Sequence, residues 1–396
     1  GLLLLLLSSL VAWQLHHPAA QRSPLPATHM TDPAMNLPEM TVNAAVNLNV
    51  IAAPAFKTRH ENPYNWLLYH GITELGGQVT EFTPGQMLRQ LFHPTYHIWH
   101  LHWPEIPLNH PNLGKAIVKL SLFCFMLAIA KLRGIKIVWT VHNLKAHEGY
   151  YPRLEALFWQ GFTQQLDGFI SLSQSGLEAA QQKFPNLRRK PGFVIPHSHY
   201  RGEYVQNCDR DLARQRLGIV PDAKVLLFFG RIRDYKNVPH LLDTFHQLAD
   251  EKVVLYIAGR PEAAIRLVIE QAAERDRRVQ TQLNFIPQPD SQFYFQAADL
   301  VVLPYREILN SGTALLALSF NRPVLVPERG SMGELQTWVG SDWVRTYAGD
   351  LTAADLAQAL TWAIQTSRSP QAPLAAFDGS VLAEKTIVAY RAIAQI

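Results

Sequence analysis

A chain of 396 residues exceeds one ordinary core, and about two domains is its natural division. Its 48% hydrophobic and 17% charged residues are those of a packed globular protein and exclude a disordered one. Lys plus Arg number 36 against 32 Asp plus Glu; the net +4 permits anionic partners such as nucleoside diphosphates or acidic lipid and does not require nucleic acid.

Two cysteines, Cys124 and Cys208, are too few for a disulfide framework, so a reducing cytoplasm is the expected compartment. The sequence opens on an apolar run from Leu2 to Trp13, shorter than the roughly 20 residues that span a bilayer. No basic segment precedes it, and it reads either as a signal or anchor or as a disordered lead-in. Pro, Thr, Ala and Met dominate residues 18–40 without periodicity, so 1–44 is expected to be a flexible leader. No later segment is expected to reach the length and purity of a transmembrane helix.

From residue 47 onward short apolar runs alternate with amphipathic stretches, the pattern of parallel β/α architecture. Strands are expected at 49–54, 96–103, 135–141, 168–172 and 194–196, with helices at 63–75, 113–133, 152–165 and 174–183. The polar stretch 200–222, with a short helix at 209–217, is read as the domain junction. A second series follows: strands at 224–229, 253–258, 282–286, 300–304 and 323–327, and helices at 237–249, 261–274, 291–297 and 312–320. Helices at 352–366 and 382–395 close the chain. The fold class is therefore α/β, with two doubly wound domains, 45–203 and 204–379, facing across a cleft. The segment 380–396 is expected to return to the first domain. In such folds ligands sit at the carboxyl ends of the strands.

The segment Phe229-Gly230-Arg231-Ile232-Arg233-Asp234-Tyr235-Lys236-Asn237 carries the clearest chemistry. A buried strand delivers a glycine, then two cations, Arg231 and Lys236, then a helix start, a combination suited to a diphosphate. Asn310-Ser311-Gly312-Thr313 opens a further helix, whose amides and dipole attract phosphate and whose Ser and Thr serve equally as caps. In the first half, His97-Ile98-Trp99-His100-Leu101-His102-Trp103-Pro104-Glu105 ends a strand with sugar-facing chemistry. Trp103 offers a flat apolar ring, and His100 and His102 share one strand face. These histidines lack zincin spacing and a third ligand, so no metal is assigned. Asp209-Arg210-Asp211 lies before a helix and reads as a cap, not as a metal motif. Phe123-Cys124-Phe125-Met126-Leu127 lies in a very apolar helix with Lys115 and Lys119; core packing is the default, and a face on anionic lipid is the other reading.

Gly-Arg-x4-Lys-Asn after a strand resembles the donor-phosphate loop of nucleotide-sugar-dependent glycosyltransferases of the GT-B fold. Tyr256-Ile257-Ala258-Gly259, then Ala297-Ala298-Asp299-Leu300-Val301-Val302-Leu303-Pro304-Tyr305, then the helix from Gly312 with its Asn321-Arg322-Pro323-Val324 exit, follow in that family's order over about 100 residues. Many retaining members carry two glutamates eight residues apart; here Ile308 and Leu316 take those places, with Glu307 beside the first. The variant resembles bacterial exopolysaccharide β-mannosyltransferases and related glycolipid glycosyltransferases, within family-4-like enzymes.

That resemblance implies a hexosyltransferase moving mannose or glucose from a nucleotide diphosphate sugar, GDP-mannose first and a UDP-sugar second. The acceptor is a glycan or lipid-linked glycan. It implies donor contacts from Gly230, Arg231, Lys236, Glu307, Asn310, Ser311, Gly312, Thr313 and His142. Acceptor contacts are expected from Trp103, His100 and Asn143, and the general base from Glu105, Glu148 or His102. No metal and no cofactor beyond the nucleotide sugar is expected, because cations and a helix dipole can absorb the leaving charge. The expected location is cytoplasmic, with peripheral attachment to the inner membrane face. A non-catalytic binder on a degenerate scaffold, motivated by Leu316, and a GT-B epimerase or phosphorylase are the rival readings.

Overall fold

The computed structural model describes residues 47–146 and 148–396; the expected leader 1–44 lies outside the described residues. The chain forms two compact units. The first runs to Pro196 and takes in Gly379–Ile396; the second is His197–Asp378. The polar stretch 200–222 thus lies inside the second unit.

In the first unit the strands are β1 (Asn49–Ala53), β2 (Gln78–Glu81), β3 (Ile98–Leu101), β4 (Lys136–Val141), β5 (Gly168–Ser171) and β6 (Gly192–Val194). They form one parallel sheet in the order β2-β1-β3-β4-β5-β6. Helices α1 (Tyr64–Glu74), α2 (Pro84–Arg89), α3 (Leu113–Leu132), α4 (Pro152–Gln165) and α5 (Gln174–Lys183) supply the crossovers. Strand β2 and helix α2 were not foreseen, because QVTE is too polar to read as a strand: it is a partly exposed edge. Asn112 caps α3 and Ser173 caps α5, each accepting from a backbone N–H three residues on.

The second unit orders its strands β12-β11-β10-β7-β8-β9, again all parallel. They are β7 (Lys224–Phe229), β8 (Val253–Ala258), β9 (Val279–Gln282), β10 (Leu300–Val302), β11 (Val324–Pro327) and β12 (Val344–Tyr347). Helix α6 (Arg210–Leu217) opens this unit; α7 (Val238–His246), α8 (Ala263–Arg275), α9 (Ser291–Ala297), α10 (Gly312–Ser319), α11 (Met332–Val339) and α12 (Ala353–Gln365) follow. Asp209 caps α6 through Leu212 N–H, which accounts for Asp209-Arg210-Asp211 without metal. Asp299 receives Arg214, Arg210 and Val225 N–H, tying α6 to β7 and β10.

Two of the expected strands are displaced. The strand placed at 282–286 is β9 at Val279–Gln282: Arg278 binds Asp276 and the Leu248 carbonyl, which starts pairing earlier than the apolar pattern suggests. The strand at 194–196 is β6, Gly192–Val194.

The final helix α13 (Gly379–Ala394) packs on α1 in the first unit. The approach is close because Gly71 of α1 has no side chain; a Cβ there would lie 2.9 Å from Ala383 Cβ. Helix α13 completes an apolar core with Leu68, Tyr69, Ile72, Leu382, Ile387 and Ile393. Helix α3 departs from expectation: by length and composition it is apolar enough to cross a membrane, yet a third of its most apolar window is buried inside the unit.

Candidate active site

In each sheet the chain starts at an inner strand and later jumps to its other side, between β1 and β3 and between β7 and β10. Carboxyl ends of strands at such a switch point are where open α/β sheets bind ligands. Residues singled out from sequence lie at both places: Trp103 and Glu105 follow β3, and Gly230 and Arg231 follow β7.

In the second unit Gly230 follows β7, and its φ of 109° favours glycine. The neighbouring Gly259 has φ 143°, and a Cβ on it would fall 2.0 Å from the Gly230 carbonyl oxygen. The two loops can meet only as glycine backbone. Gly230 N–H donates to Ala258 O and Ile232 N–H to Arg260 O, both at 2.9 Å, so the loop after β7 is held like an extra rung of sheet. A short 3₁₀ turn, Asp234–Lys236, and a left-handed Asn237 then start α7.

This path folds Lys236 inward to 9% exposure. Its Nζ lies 3.6 Å, and Thr313 Oγ1 3.5 Å, from the point where a Cβ on Gly230 would project. The Tyr305 ring lies 5.3 Å from the same ammonium. Burial lowers the Lys236 pKa; Tyr235 opposes this, and Arg233 and Arg231 push it further down. Arg231 itself is exposed, while Arg233 is half-buried, with Nε 4.0 Å from Glu262 Oε1. Three cations therefore crowd one strand end.

Helix α10 begins beside them. Ser311 Oγ accepts from Ala314 N–H at 3.2 Å, so Ser311 is a cap whose neighbouring amides still open the helix. Gly312 admits no side chain: a Cβ would meet Tyr200 Oη at 2.9 Å. His197 Nδ1 donates to Ser198 O, and its Nε2 therefore accepts from Tyr200 Oη at 3.3 Å. Burial lowers its pKa to about 4 and keeps the ring neutral. Asn237 Oδ1 and Asn310 Nδ2 are buried with no hydrogen-bond partner among the described residues. Buried polar atoms left without a partner are what a polar ligand would satisfy. Leu316, where a glutamate was sought, is buried apolar core of α10, and Glu307 lies exposed in the 305–310 loop.

The first unit builds its strand ends differently. His102 and Glu105 follow β3, His142 and Asn143 follow β4. Trp103 stacks on the His142 ring at 4.6 Å, and Tyr64 meets it edge-on at 5.3 Å. His102 Nδ1 and His142 Nε2 are 2.9 Å apart. Glu105 is only 1% exposed, with Asn143 Nδ2 at 3.5 Å from Oε1. Burial raises its pKa to about 7, against the lowering pull of its own backbone N–H and of Asn143.

A direct acceptor contact from His100 does not survive folding. The ring is fully buried, with Nε2 2.7 Å from Thr140 Oγ1 and Nδ1 against two tyrosine hydroxyls. Burial brings its pKa to about 3. His102 is likewise buried, and its pKa lies well below the usual range through burial, His100 and His142. With both nitrogens engaged it is poorly placed as a base. Glu148 is exposed in the loop before α4. Sequence reasoning missed Arg233, Tyr200 and His197 in the second unit, and Tyr69, Thr140 and Tyr390 in the first. Arg233 was visible in the basic loop; Tyr69 and Tyr390 looked like ordinary helix-core residues.

Two parallel six-stranded α/β sheets, each with polar residues at the strand ends of its switch point, define the GT-B class of glycosyltransferase fold. Solved structures agree. Sucrose-phosphate synthase from Thermosynechococcus elongatus superposes with a TM-score of 0.59 at 14% identity, over 88% of this chain and 96% of that one. WaaG, a glycosyltransferase involved in lipopolysaccharide biosynthesis, gives 0.57 at 13% identity, over 87% of this chain and 99% of that one. Residues 223–366 match the family model described as glycosyl transferases group 1. The GDP-mannose:glycolipid 4-beta-D-mannosyltransferase of Xanthomonas campestris pv. campestris is 31% identical over 346 residues, 87% of this chain and 92% of that relative. The chain belongs to the group 1 glycosyltransferases and is itself a glycosyltransferase.

Proposed function

We propose that this enzyme transfers mannose from GDP-mannose to a lipid-linked glycan with inversion at the anomeric carbon. The similarity to a glycolipid mannosyltransferase supports donor and acceptor. The observation that carries the reading is the convergence of Lys236 Nζ and Thr313 Oγ1 at Gly230, flanked by Arg231 and Arg233 and by the start of α10. These groups take up the charge of the departing nucleoside diphosphate, so the reading needs no metal ion and no further cofactor. The acceptor hydroxyl oxygen bonds to the anomeric carbon, the bond from that carbon to the diphosphate oxygen breaks, and the hydroxyl proton passes to Glu105. A carboxylate with a pKa near 7 suits that task at neutral pH. Trp103 and Asn143 serve the acceptor, and His142 and Asn310 the donor.

The enzyme works in the cytoplasm on the membrane surface in this reading. Val118 (68% exposed), Leu122 and Phe125 (47%) form an outward apolar face on α3, and Lys115 and Lys119 beside them suit anionic lipid. Purified protein should co-sediment with phosphatidylglycerol-containing vesicles and not with pure phosphatidylcholine, and Leu122→Glu/Phe125→Glu should abolish this; equal binding to both vesicles would contradict it. The donor is tested by the rise in melting temperature with GDP-, UDP- and ADP-sugars, because a ligand held only by the native state stabilises it. GDP-mannose should give the largest shift, and a larger shift with a UDP-sugar would overturn that choice.

A further inference from the structure

The strand-end residues of the second unit lie on two stretches of chain, the turn that carries Lys236 and the segment that leads into α10. Residues 305–310 approach both. Tyr305, whose ring lies 5.3 Å from Lys236 Nζ, opens this segment, and Asn310 ends it just before the Ser311 cap. The segment is neither helix nor strand, so its path depends on what holds it from outside.

It is held on both sides. Arg306 N–H donates to Tyr235 O at 2.8 Å, which bonds its main chain to the residue before Lys236, and the Arg306 guanidinium lies 3.6 Å from Asp234 Oδ2. On the other side, Arg306 O accepts from Arg329 Nη1 at 3.0 Å. Arg329 follows β11, and its Nη2 donates to Gly349 O, after β12, at 3.1 Å. The next residue, Gly330, has φ 55°, and a Cβ on it would fall 2.0 Å from Ile308 O, so the two main chains touch directly. A guanidinium presents donors in a fixed fork, which lets one side chain tie the segment to the end of the sheet; an ammonium is a point charge without that geometry. The ion pair of Arg329 with Asp350, at 3.8 Å, is exposed and adds little.

We infer that Arg329 is a positioning residue. By gripping the Arg306 carbonyl it fixes segment 305–310 and, through the Arg306 N–H bond to Tyr235, the turn that presents Lys236. The inference rests on the proposed function only for the nucleoside diphosphate that Lys236 receives; the grip on the segment does not depend on it.

Amide hydrogen exchange and GDP titration of the full-length enzyme test it together. The Arg329 side chain is 41% exposed, so its variants should fold. Arg329→Met should speed exchange over 305–310 and over 234–237, and weaken GDP binding by roughly tenfold with little change in melting temperature. Arg329→Lys, which keeps the charge and loses the fork, should resemble Met; Asp350→Asn, which removes the ion pair alone, should resemble the wild type. Faster exchange confined to the neighbourhoods of 329 and 349, or full GDP affinity in Arg329→Lys, would overturn the inference. Failure of the wild type to bind GDP would count against the donor reading, and the exchange pattern would then decide the inference by itself.

Discussion

The second unit makes its strand-end site from backbone and cations, whereas the first makes its own from buried, hydrogen-bonded side chains. At the end of β7, Gly230 and Gly259 pack main chain against main chain, and the space this leaves is lined by Lys236 and Thr313. At the ends of β3 and β4, His102 hydrogen-bonds His142, and Tyr69 links His102 to His100, which also meets Thr140. A site for an anion needs positive charge, which a protein holds cheaply only near the surface; burying Lys236 lowers its pKa and primes it for a negative partner. In the proposed reaction the first unit's part is to accept a proton, and burial, which raises the Glu105 pKa, suits that carboxyl to it.

Each half of this contrast can be broken separately. The largest effect is expected from Gly259→Ala. A Cβ there meets a carbonyl oxygen at 2.0 Å on a backbone with φ 143°, so folding should weaken by more than about 4 kcal/mol, read as loss of the second unit in thermal unfolding. Next is Lys236→Ala: turnover should drop by about a thousandfold while the melting temperature holds or rises, because a buried cation has been removed. Unaltered transfer by that variant would end the phosphate role.

Glu105→Gln should lower kcat by about a hundredfold or more. In the wild type, kcat/KM should fall as pH drops below about 7, where Glu105 becomes protonated. Stability should move the opposite way. A folded pKa of about 7 above a usual 4.5 means that the protonated carboxyl favours the fold, fully at pH below 4.5, and that this contribution is lost as pH rises through 7. The Gln variant should therefore be the more stable protein above pH 7, by at most about 3 kcal/mol. A wild type that outlasts it in denaturant at pH 8 would show that Glu105 is not strained by burial. The smallest effect belongs to Ser311→Ala, which removes the α10 cap at a cost of about 1 kcal/mol.

The same contrast explains how much could be seen in the sequence. The strands β7 and β8 were placed at their observed bounds because they are continuous apolar runs ended by glycine. The loop after β7 stood out because its chemistry is contiguous: glycine, cations and helix start lie within nine residues, Phe229 to Asn237. The first unit's site was only half visible. His102, Glu105 and His142 follow strand ends, but Tyr69 and Tyr390 come from helices separated by most of the chain, and their hydroxyls look like core aromatics in any helical pattern. Burial also reversed one reading: His100 alternates correctly with His102, yet it is fully buried against Tyr69 of α1 and Tyr390 of α13. Polar edges such as β2, and α11 and β12 near the far edge of the second sheet, carry too little hydrophobic periodicity to have been foreseen.

Calorimetric titration of GDP into the wild type and into Lys236→Ala at pH 7.5 without added metal tests the cationic grip most directly. Saturable binding by the wild type that weakens at least a hundredfold in the variant is the expected result; equal affinities, or no binding by the wild type, would contradict it.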